Sequence, residues 1–352
     1  MQKQIVWVLL SVLALMLIVL TVLESTDRPA TMHSDQKLFP DLSSQLEDLR
    51  AVTLVRSDQT VELNYDGYWQ VANRDNFPAD FGRVQALGSA LATARLLEAK
   101  TARPENHARL GLSEEGVDDE VAVQVTLTLG NGAIFAVLVG KEAQNRAGRY
   151  IRRAGDDQSW LIDTAIDVST SLSDWLSRDL LNVEYDRIAS FARIDKNGES
   201  FSASRATPDA SAFDLNGAIP EGKQLSYETV LNAVARVPGN LRIDDLSNQS
   251  ETPVPEAGQV ITRFSTFDGL MLTLAMWRDE TGNWVSVEAR ADEQAQLDQE
   301  QLETRQAEIE EISKRVTSRV FRIADYQASE LEKSLGEYLN DITPASEDSN
   351  DG

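Results

Sequence analysis

The residue types that most often carry enzyme chemistry are few and scattered in this 352-residue sequence. It has no cysteine, which excludes thiolate catalysis, disulfides, cysteine zinc sites and a lipid-modified cysteine. Its two histidines, His33 and His107, have no second histidine or carboxylate at metal-ligand spacing. A Ser-His-Asp triad would have to recruit His107 from a loop. We therefore predict neither a metal nor a cofactor.

Carboxylates are abundant, so a pair of acids that cleaves glycosidic bonds stays open as an alternative. The densest group, formed by Asp118, Asp119 and Glu120, precedes an expected strand and is typical of a solvated surface. It lacks the alternating spacing of a calcium loop, and the sequence contains no glycine-rich nucleotide loop. The sequence thus indicates no catalytic residue, and we expect a protein that is not an enzyme.

The formal net charge of −24 limits the classes of partner. Such an acidic surface repels phosphate backbones, so we expect no nucleic-acid binding. It also disfavours a body that lies flat on anionic lipid. The charge is typical of a soluble surface, and a specific basic partner is the alternative interpretation.

Residues 5–23 form an uncharged apolar run that predicts a membrane anchor. As a helix these 19 residues would span about 28 Å, close to the hydrocarbon thickness of a bilayer. The run is longer than the core of a cleaved signal peptide. Lys3 precedes it, which favours a cytoplasmic end at residues 1–4. We therefore expect a single-pass protein of a bacterial cytoplasmic (inner) membrane, with its body in the periplasm or extracytoplasmic space.

Residues 24–45 are polar and interrupted by prolines, which predicts a linker, and a folded unit over residues 46–182 follows. Seven runs of this unit predict strands, at 51–56, 60–65, 68–72, 121–129, 133–139, 149–153 and 159–163. The first two alternate apolar and polar side chains, which is typical of half-buried strands. Asn131 and Gly132 predict a type I′ hairpin turn. Asp80 predicts the cap of a helix that continues to about Leu97.

The same order of elements recurs in residues 183–341. Three positions of the first predicted strand return 137 residues later as Ala189, Phe191 and Arg193. The hairpin turn returns at the same interval as Asp268 and Gly269. We therefore predict an α+β fold in which two similar units each pack a helix on a curved antiparallel sheet.

The helices of the second unit are expected at residues 226–237 and 326–339. The first of them takes the place of the helix that Asp80 caps in the first unit. The second closes the unit, as a short helix around Trp175 closes the first. Residues 342–352 are acidic and are expected to form a disordered tail.

A helical insertion, residues 291–318, distinguishes the second unit from the first. It contains strong helix formers and neither glycine nor proline. Leu302, Ile309 and Val316 are seven residues apart and Ile312 follows Ile309, so the helix carries one thin apolar seam. Two interpretations stay open: a solvated arm folded against its own unit, or a helix that contacts a partner.

An ordered series of short motifs spans most of residues 38–182 and fits the second unit loosely. The motifs are Leu38-Phe39-Pro40, Asp66-Gly67-Tyr68-Trp69, Pro78-Ala79-Asp80 with Val84, Leu110-Gly111-Leu112, Val139-Gly140-Lys141, Arg149-Tyr150 and Asp174-Trp175-Leu176. The series resembles a bacterial family of unknown function whose members carry an N-terminal membrane anchor.

The resemblance implies a role rather than a reaction. Genes of this family often stand beside those of an ABC-type exporter related to gliding-motility transporters, which implies an extracytoplasmic accessory or scaffold protein. Its expected partners are the permease or other membrane subunits, and no catalytic residue carries over. Two alternatives remain: a carboxylate-dependent carbohydrate-active enzyme of the cell envelope, and a ligand-binding module that uses the groove between the two repeats.

Overall fold

The computed structural model describes residues 36–342 apart from positions 118, 145, 146 and 296. The chain divides after Trp175 into two compact units. Each unit is built on a large antiparallel sheet with few helices, which confirms the α+β class. The predicted anchor at 5–23 lies outside the described residues, as do the cytoplasmic end at 1–4 and all but Ile342 of the tail. No helix of the described part has both the length and the apolar character needed to cross a membrane.

In its described residues, unit 1 contains a nine-stranded sheet and one α-helix. Its strands are β1 (Leu49–Arg56), β2 (Gln59–Asp66), β3 (Tyr68–Val71), β4 (Phe77–Pro78), β5 (Leu96–Ala99), β6 (Val123–Leu129), β7 (Ile134–Glu142), β8 (Arg149–Arg153) and β9 (Ser159–Ile162). The helix is α1 (Phe81–Thr93). Across the sheet the strand order is β4-β3-β2-β1-β6-β7-β8-β9-β5. The alternation of side chains in β1 holds, since Val52 and Leu54 are fully buried.

The turn between β6 and β7 differs from the predicted type I′ turn. Gly132 has φ +84°, but Asn131 does not have the positive φ that a type I′ turn requires there. The Leu129 N–H donates to Ala133 across a three-residue loop. Such a loop combines a type I turn with one left-handed residue, so only the glycine position needs positive φ.

Helix α1 begins as predicted and ends earlier. The Asp80 side chain accepts a hydrogen bond from the backbone N–H of Arg83, which confirms the cap. The helix stops at Thr93 rather than near Leu97 because Leu96–Ala99 form β5 and pair with β9. The predicted linker also ends earlier than residue 45, because the side chain of Leu38 is fully buried and its N–H donates to Ala94.

In its described residues, unit 2 contains an eight-stranded sheet, a two-stranded sheet and six helical segments, of which four are α-helices and two are 3₁₀ turns. Its strands are β10 (Ile188–Ile194), β11 (Ser200–Ser204), β12 (Asp214–Leu215), β13 (Lys223–Leu225), β14 (Asp245–Asn248), β15 (Val260–Thr266), β16 (Leu270–Asp279), β17 (Gly282–Ala291), β18 (Arg319–Ile323) and β19 (Leu339–Asp341). Its α-helices are α2 (Asn232–Ala235), α3 (Val237–Asn240), α4 (Gln299–Val316) and α5 (Asp325–Glu332).

The large sheets of the two units share a strand order. Seven consecutive strands of unit 1, β2-β1-β6-β7-β8-β9-β5, correspond to β11-β10-β15-β16-β17-β18-β14 in unit 2. An irregularity in register interrupts β1 between Leu49 and Ala51, and β10 between Ile188 and Ser190. Both irregularities lie near the start of the strand, where β1 pairs with β6 and β10 pairs with β15.

The strand pairing corrects the predicted interval of 137 residues between β1 and β10. Val52 pairs with Leu127, whereas Phe191 pairs with Phe264. Leu127 and Phe264 are 137 residues apart, but Val52 and Phe191 are 139 apart. The counterpart of Val52 is therefore Phe191 rather than Ala189, because a register shift of two residues is invisible to a period-two pattern.

Both predicted helices of unit 2 are interrupted. Residues 226–237 give only α2 before Pro238 of α3, since Ser226 instead donates its N–H to Tyr338. Residues 326–339 divide into α5 and a 3₁₀ turn, Leu335–Tyr338. The chain then enters β19. Its backbone N–H and C=O groups pair with β13 instead of continuing the hydrogen bonds of a helix.

Candidate functional site

The insertion predicted at residues 291–318 is helical over α4, Gln299–Val316, and begins later than predicted because β17 continues to Ala291. Asp298 accepts a hydrogen bond from the Gln301 N–H, and the Gln301 side chain accepts one from the Asp298 N–H. This reciprocal capping box satisfies two backbone donors that would otherwise lack intrahelical partners. Lys314 and Arg315 lie in the last turn, where positive charge is favourable to the helix dipole. Residues at both ends of the helix therefore stabilise it there.

The four seam residues of α4 do not share one environment. Val316 is buried, Ile309 and Ile312 are half-buried, and Leu302 is 47% exposed. The seam faces unit 2 itself, where α4 contacts β17. Most of the apolar seam is thus used to fold the helix back on its own unit. Leu302 remains available at the solvent edge.

Arg305 contributes a charge to the buried side of α4. Only 5% of the residue is exposed. Its Nη2 lies 2.5 Å from Oδ2 of Asp268, and its Nε donates to the backbone carbonyl of Asp268 at 2.9 Å. Arg305 also forms an ion pair with Glu308 one turn along the helix. These contacts fasten α4 to the turn between β15 and β16.

Arg187 completes an ion-pair network, which we define as Arg187, Asp268, Arg305 and Glu308. Its Nε donates to Oδ2 of Asp268 at 3.0 Å. Its Nη1 and Nη2 donate to the two carboxylate oxygens of Glu308, both at 2.9 Å. This fork matches carboxylate geometry and restricts the position of both partners. Two cations and two carboxylates therefore join the start of β10, the β15–β16 turn and α4.

The network changes the proton affinity of Asp268 and Arg305. Burial disfavours the ionised form of Asp268, but the hydrogen bond from Thr266 and the charges of Arg187 and Arg305 outweigh it and lower the pKa of Asp268. Burial lowers the pKa of Arg305, and Asp268 opposes that effect. At neutral pH both remain charged, so the network holds α4 by charged contacts.

A cleft of about 600 Å³ lies beside α4 within unit 2. We call it the α4 cleft; it is lined by Ser177, Asp179, Leu180, Leu181, Asn182, Val183, Gly239, Glu308, Glu311, Ile312 and Arg315. Arg315 donates to the Leu180 carbonyl at 3.1 Å, which holds the two walls together. The side chains of Asp179 and Glu311 are 78% and 76% exposed at its rim. The cleft is lined more by polar than by apolar groups, and its rim carboxylates Asp179 and Glu311 pair with Arg242 and Arg315. Such a lining suits a polar or basic partner segment.

The residues considered for enzyme chemistry are not brought together in the part of the chain that the structure describes. His107 is buried, and its Nε2 lies 3.0 Å from the carbonyl oxygen of Asp157. Asp119 forms an ion pair with Lys141, whereas His33 and Asp118 lie outside the described residues. No group of three or more His, Cys, Asp or Glu side chains among the described residues could hold a metal ion.

Sequence reasoning named the apolar seam but missed the ion-pair network. A signal for Arg305 was present, because it follows Leu302 by three residues and precedes Ile309 by four. That spacing places an arginine on the face that packs inward. No sequence signal identified Arg187 and Asp268 as its neighbours, since they are distant from α4 along the chain.

Comparison with known proteins identifies one family. The profile of a domain of unknown function, DUF4340, matches residues 69–259, which is more than half of the chain. The match begins at Trp69 in unit 1 and ends just before β15 in unit 2. No curated protein and no solved structure matches the chain.

Proposed function

This chain belongs to the DUF4340 family, and from that premise we propose that it is a membrane-tethered extracytoplasmic accessory protein of an ABC-type transporter, acting through protein–protein contacts. The proposed tether is the apolar run at residues 5–23. The proposed location of the body follows from the charge bias around that run. The transporter association rests on the family resemblance of the motifs in residues 38–182.

The fixed position of α4 is the observation that carries the contact proposal. The ion-pair network holds the helix against the sheet, so the α4 cleft is a preformed surface. A preformed surface binds a partner without the cost of ordering a flexible segment. We propose that the contact surface comprises the α4 cleft and the exposed edge at Leu302.

The composition of the α4 cleft supports as partner a membrane subunit that presents a short extracytoplasmic loop. Half-buried Ile312 can contact an apolar side chain, and a lysine or arginine of the partner can pair with Glu311 or Asp179 in competition with Arg315 or Arg242. Aspartate and glutamate at the rim would act chiefly on the association rate and on specificity. The binding should therefore weaken as the salt concentration rises.

Co-purification of the full chain tests this function. The tagged chain is extracted from membranes in mild detergent, and the captured proteins are identified by mass spectrometry. We expect a transporter permease in stoichiometric amount. Repeated recovery of the chain alone, with the permease detected elsewhere in the same extract, would contradict the proposal.

Matched variants locate the contact once a permease is captured. Glu311→Lys alters the α4 cleft, and Leu302→Glu alters the exposed edge of the seam. The controls are Glu303→Lys and Gln306→Glu, which make the same charge changes at exposed positions of the same helix. We expect the first pair to reduce capture at least about tenfold, and the controls to retain it. Equal capture by all four variants would exclude this surface.

We also infer that the two units arose by internal duplication. The shared order of seven strands and the matching irregularities in β1 and β10 support this origin. Homologous sequences provide the test. Aligned halves should show correlated residue types at an interval of 139 in β1 and 137 in the β6–β7 hairpin. An absence of such correlation across homologues would count against duplication.

A further inference from the structure

Three motifs of the sequence that have no place in the proposed contact surface meet at one pocket of unit 1. Gly111 comes from the Leu-Gly-Leu motif, Gly140 and Lys141 from the strand–Gly-Lys motif, and Arg149 from the Arg-Tyr motif. We call this the basic pocket; it has a volume of about 280 Å³ and is lined by Arg56, Gly111, Asp119, Val121, Val123, Val139, Gly140, Lys141, Arg149 and Val168.

The end of the sheet brings the cations together at the pocket. Arg149 lies two residues before buried Ile151 and leaves the sheet on the face of that residue. The pairing of β7 with β8 shifts between Val139 and Glu142, and Lys141 lies within this irregularity and lines the same pocket as Arg149. Arg56 lies two residues beyond buried Leu54 at the end of neighbouring β1 and shares the face of Ile151. This end of the sheet thus carries three cations at one pocket.

Two glycines fix the wall that carries Lys141. A Cβ at Gly140 would overlap the carbonyl oxygen of Leu110, so the loop at residues 110–112 packs directly on the backbone of β7. Gly111 has φ +68°, and a Cβ there would lie 2.8 Å from Cγ of Lys141. The side-chain stem of Lys141 is therefore held by the loop, and both positions require glycine.

Two carboxylates, Asp119 and Glu142, reach the pocket from solvent. Lys141 Nζ lies 3.1 Å from Asp119, whose side chain is 77% exposed. Arg149 Nη2 lies 3.9 Å from Glu142, whose side chain is 78% exposed. The rest of the Arg149 guanidinium is held inside, where it donates to the Ile166 carbonyl. Its Nε is buried and has no hydrogen-bond partner in residues 36–342 as described.

The equivalent place in unit 2 is built differently. The strand pairing makes Arg278 the counterpart of Lys141 and Trp277 the counterpart of Gly140. Arg278 is bound by both carboxylate oxygens of Glu332, at 3.0 Å each, and by Asp325. Asp195 takes the position that Arg56 has in β1. Where unit 2 has an arginine held by two carboxylates, unit 1 has Lys141 paired with the exposed Asp119 at the edge of a pocket.

We propose that the basic pocket binds the phosphate or carboxylate group of a small anionic ligand, and that Asp119 competes with this ligand for Lys141. Planar guanidinium and ammonium groups at one pocket provide the donors that such anions require. The valines around them exclude water and strengthen those contacts. Exposed ion pairs contribute little net stability, so the ligand can displace the Asp119 carboxylate. This inference does not depend on the transporter association.

The size of the pocket limits the ligand. Its volume of about 280 Å³ lies just below the range of pockets that enclose drug-sized molecules. An anionic group with a short attached chain fits these dimensions. A folded nucleic acid or an extended polyanion does not, and the chain's overall charge of −24 also repels it.

Calorimetric titration of the full chain in detergent tests the inference. The probes are inorganic phosphate and succinate, at low ionic strength, with chloride as the reference anion. We expect saturable 1:1 binding with a Kd of about 1 mM or lower for at least one probe. The probe that binds more tightly distinguishes a phosphate from a carboxylate ligand. No saturation by either probe below about 10 mM would overturn the proposal.

Substitutions of opposite sign separate a built site from general charge attraction. Lys141→Met and Arg149→Met should each weaken binding at least about tenfold. Asp119→Asn should strengthen it by about threefold or more, because the competitor is removed. Arg103→Gln is the control: it removes one exposed cation of unit 1 away from the pocket.

Folding is checked separately by circular dichroism and thermal unfolding of each variant. If Lys141→Met does not fold, Asp119→Asn still tests the inference, because its effect is a gain. Equal binding by Asp119→Asn and the unchanged chain, together with equal losses in Arg149→Met and Arg103→Gln, would exclude the site.

Discussion

Arg305 of α4 forms an ion pair with Asp268 in the turn between β15 and β16, with 2.5 Å between Nη2 and Oδ2. Arg305 lies on a helix that has no counterpart in the described residues of unit 1. Asp268 lies in a hairpin turn that both units share. The pair therefore fastens the element that distinguishes unit 2 to the part of the sheet that it has in common with unit 1. Arg187 reinforces the same contact from the start of β10.

Substitution of Arg305 by methionine should release α4 from the sheet. The change keeps an apolar stem but leaves Asp268 and Glu308 with Arg187 as their shared cation. We expect the opening free energy of the α4 amides to fall by about 1–2 kcal/mol, which is less than for a fully buried pair because Asp268 is partly exposed. Hydrogen exchange measured by mass spectrometry would then show α4 amides exchanging about 5–30 times faster.

Lys314→Met supplies the comparison for that measurement. Lys314 pairs with Glu310 on the solvent side of the same helix, and its side chain is 74% exposed. Its loss should cost less than about 0.5 kcal/mol. Similar exchange rates in the Arg305 and Lys314 variants would show that the network does not hold the helix.

Lowering the pH should weaken the contact between α4 and the sheet because it protonates Asp268. The pKa of Asp268 is lowered in the folded state, so its contribution to stability is complete above the unfolded pKa and is lost as the pH falls through the folded value. Protection of the α4 amides should therefore decline between about pH 5 and about pH 2. Asp268→Asn should be less protected at neutral pH and should lose this part of the pH dependence, whereas Glu303→Gln should retain it. An unchanged pH profile in Asp268→Asn would refute the assignment.

Raising the pH should lower the stability of unit 2 because it favours ionisation of Tyr338 in the unfolded state. Burial raises the pKa of Tyr338 above its ordinary value; Arg193 opposes that rise and Glu330 adds to it. The folded state thus holds this proton more tightly than the unfolded state. Its stabilising contribution is complete below the unfolded pKa and is lost as the pH rises towards the folded pKa.

Tyr338→Phe tests this alkaline effect. The Tyr338 hydroxyl accepts a hydrogen bond from Arg193 and donates one to Glu330, so its removal should cost about 1–2 kcal/mol at neutral pH. The variant should lose less additional stability above about pH 10 than the unchanged chain. Urea unfolding followed by circular dichroism measures both. Tyr326→Phe, at a 69% exposed position, is the control and should match the unchanged chain.

Gly140→Ala should destabilise unit 1 and weaken anion binding together. The new Cβ overlaps the Leu110 carbonyl oxygen, so the loop at residues 110–112 must move away from β7. We expect a loss of about 1–3 kcal/mol in unfolding free energy. Gly336→Ala is the matched control because its Cβ would meet nothing closer than 3.8 Å. Equal unfolding midpoints for the two variants would show that the close approach at Gly140 is not required.

Several strands and the start of α1 could be predicted because their signals are local. Alternation of apolar and polar residues identified β1 and β2 within a few residues of their observed bounds. Asp80 identified the start of α1 through a hydrogen bond that spans three residues. Gly132 and Gly269 marked the two hairpin turns because each has the positive φ that glycine adopts readily.

The ends of elements depended on distant parts of the chain. Leu96 continues the helical spacing of α1, but it lies in β5, where it pairs with Ile162. The backbone at Leu96 can satisfy its hydrogen bonds in a helix or in a sheet, and the presence of β9 decides between them. The sequence near Leu96 does not contain that information.

The sequence by itself determined the α+β class, the capped insertion helix α4 and the repeated order of strands, because periodicity, capping and turn geometry act over a few residues. Only the tertiary structure decided that Arg305 meets Asp268 and Arg187, and that Gly111, Lys141 and Arg149 surround one pocket. Those neighbours are brought together by strand order and register, which depend on the pairing of segments that are far apart in the chain.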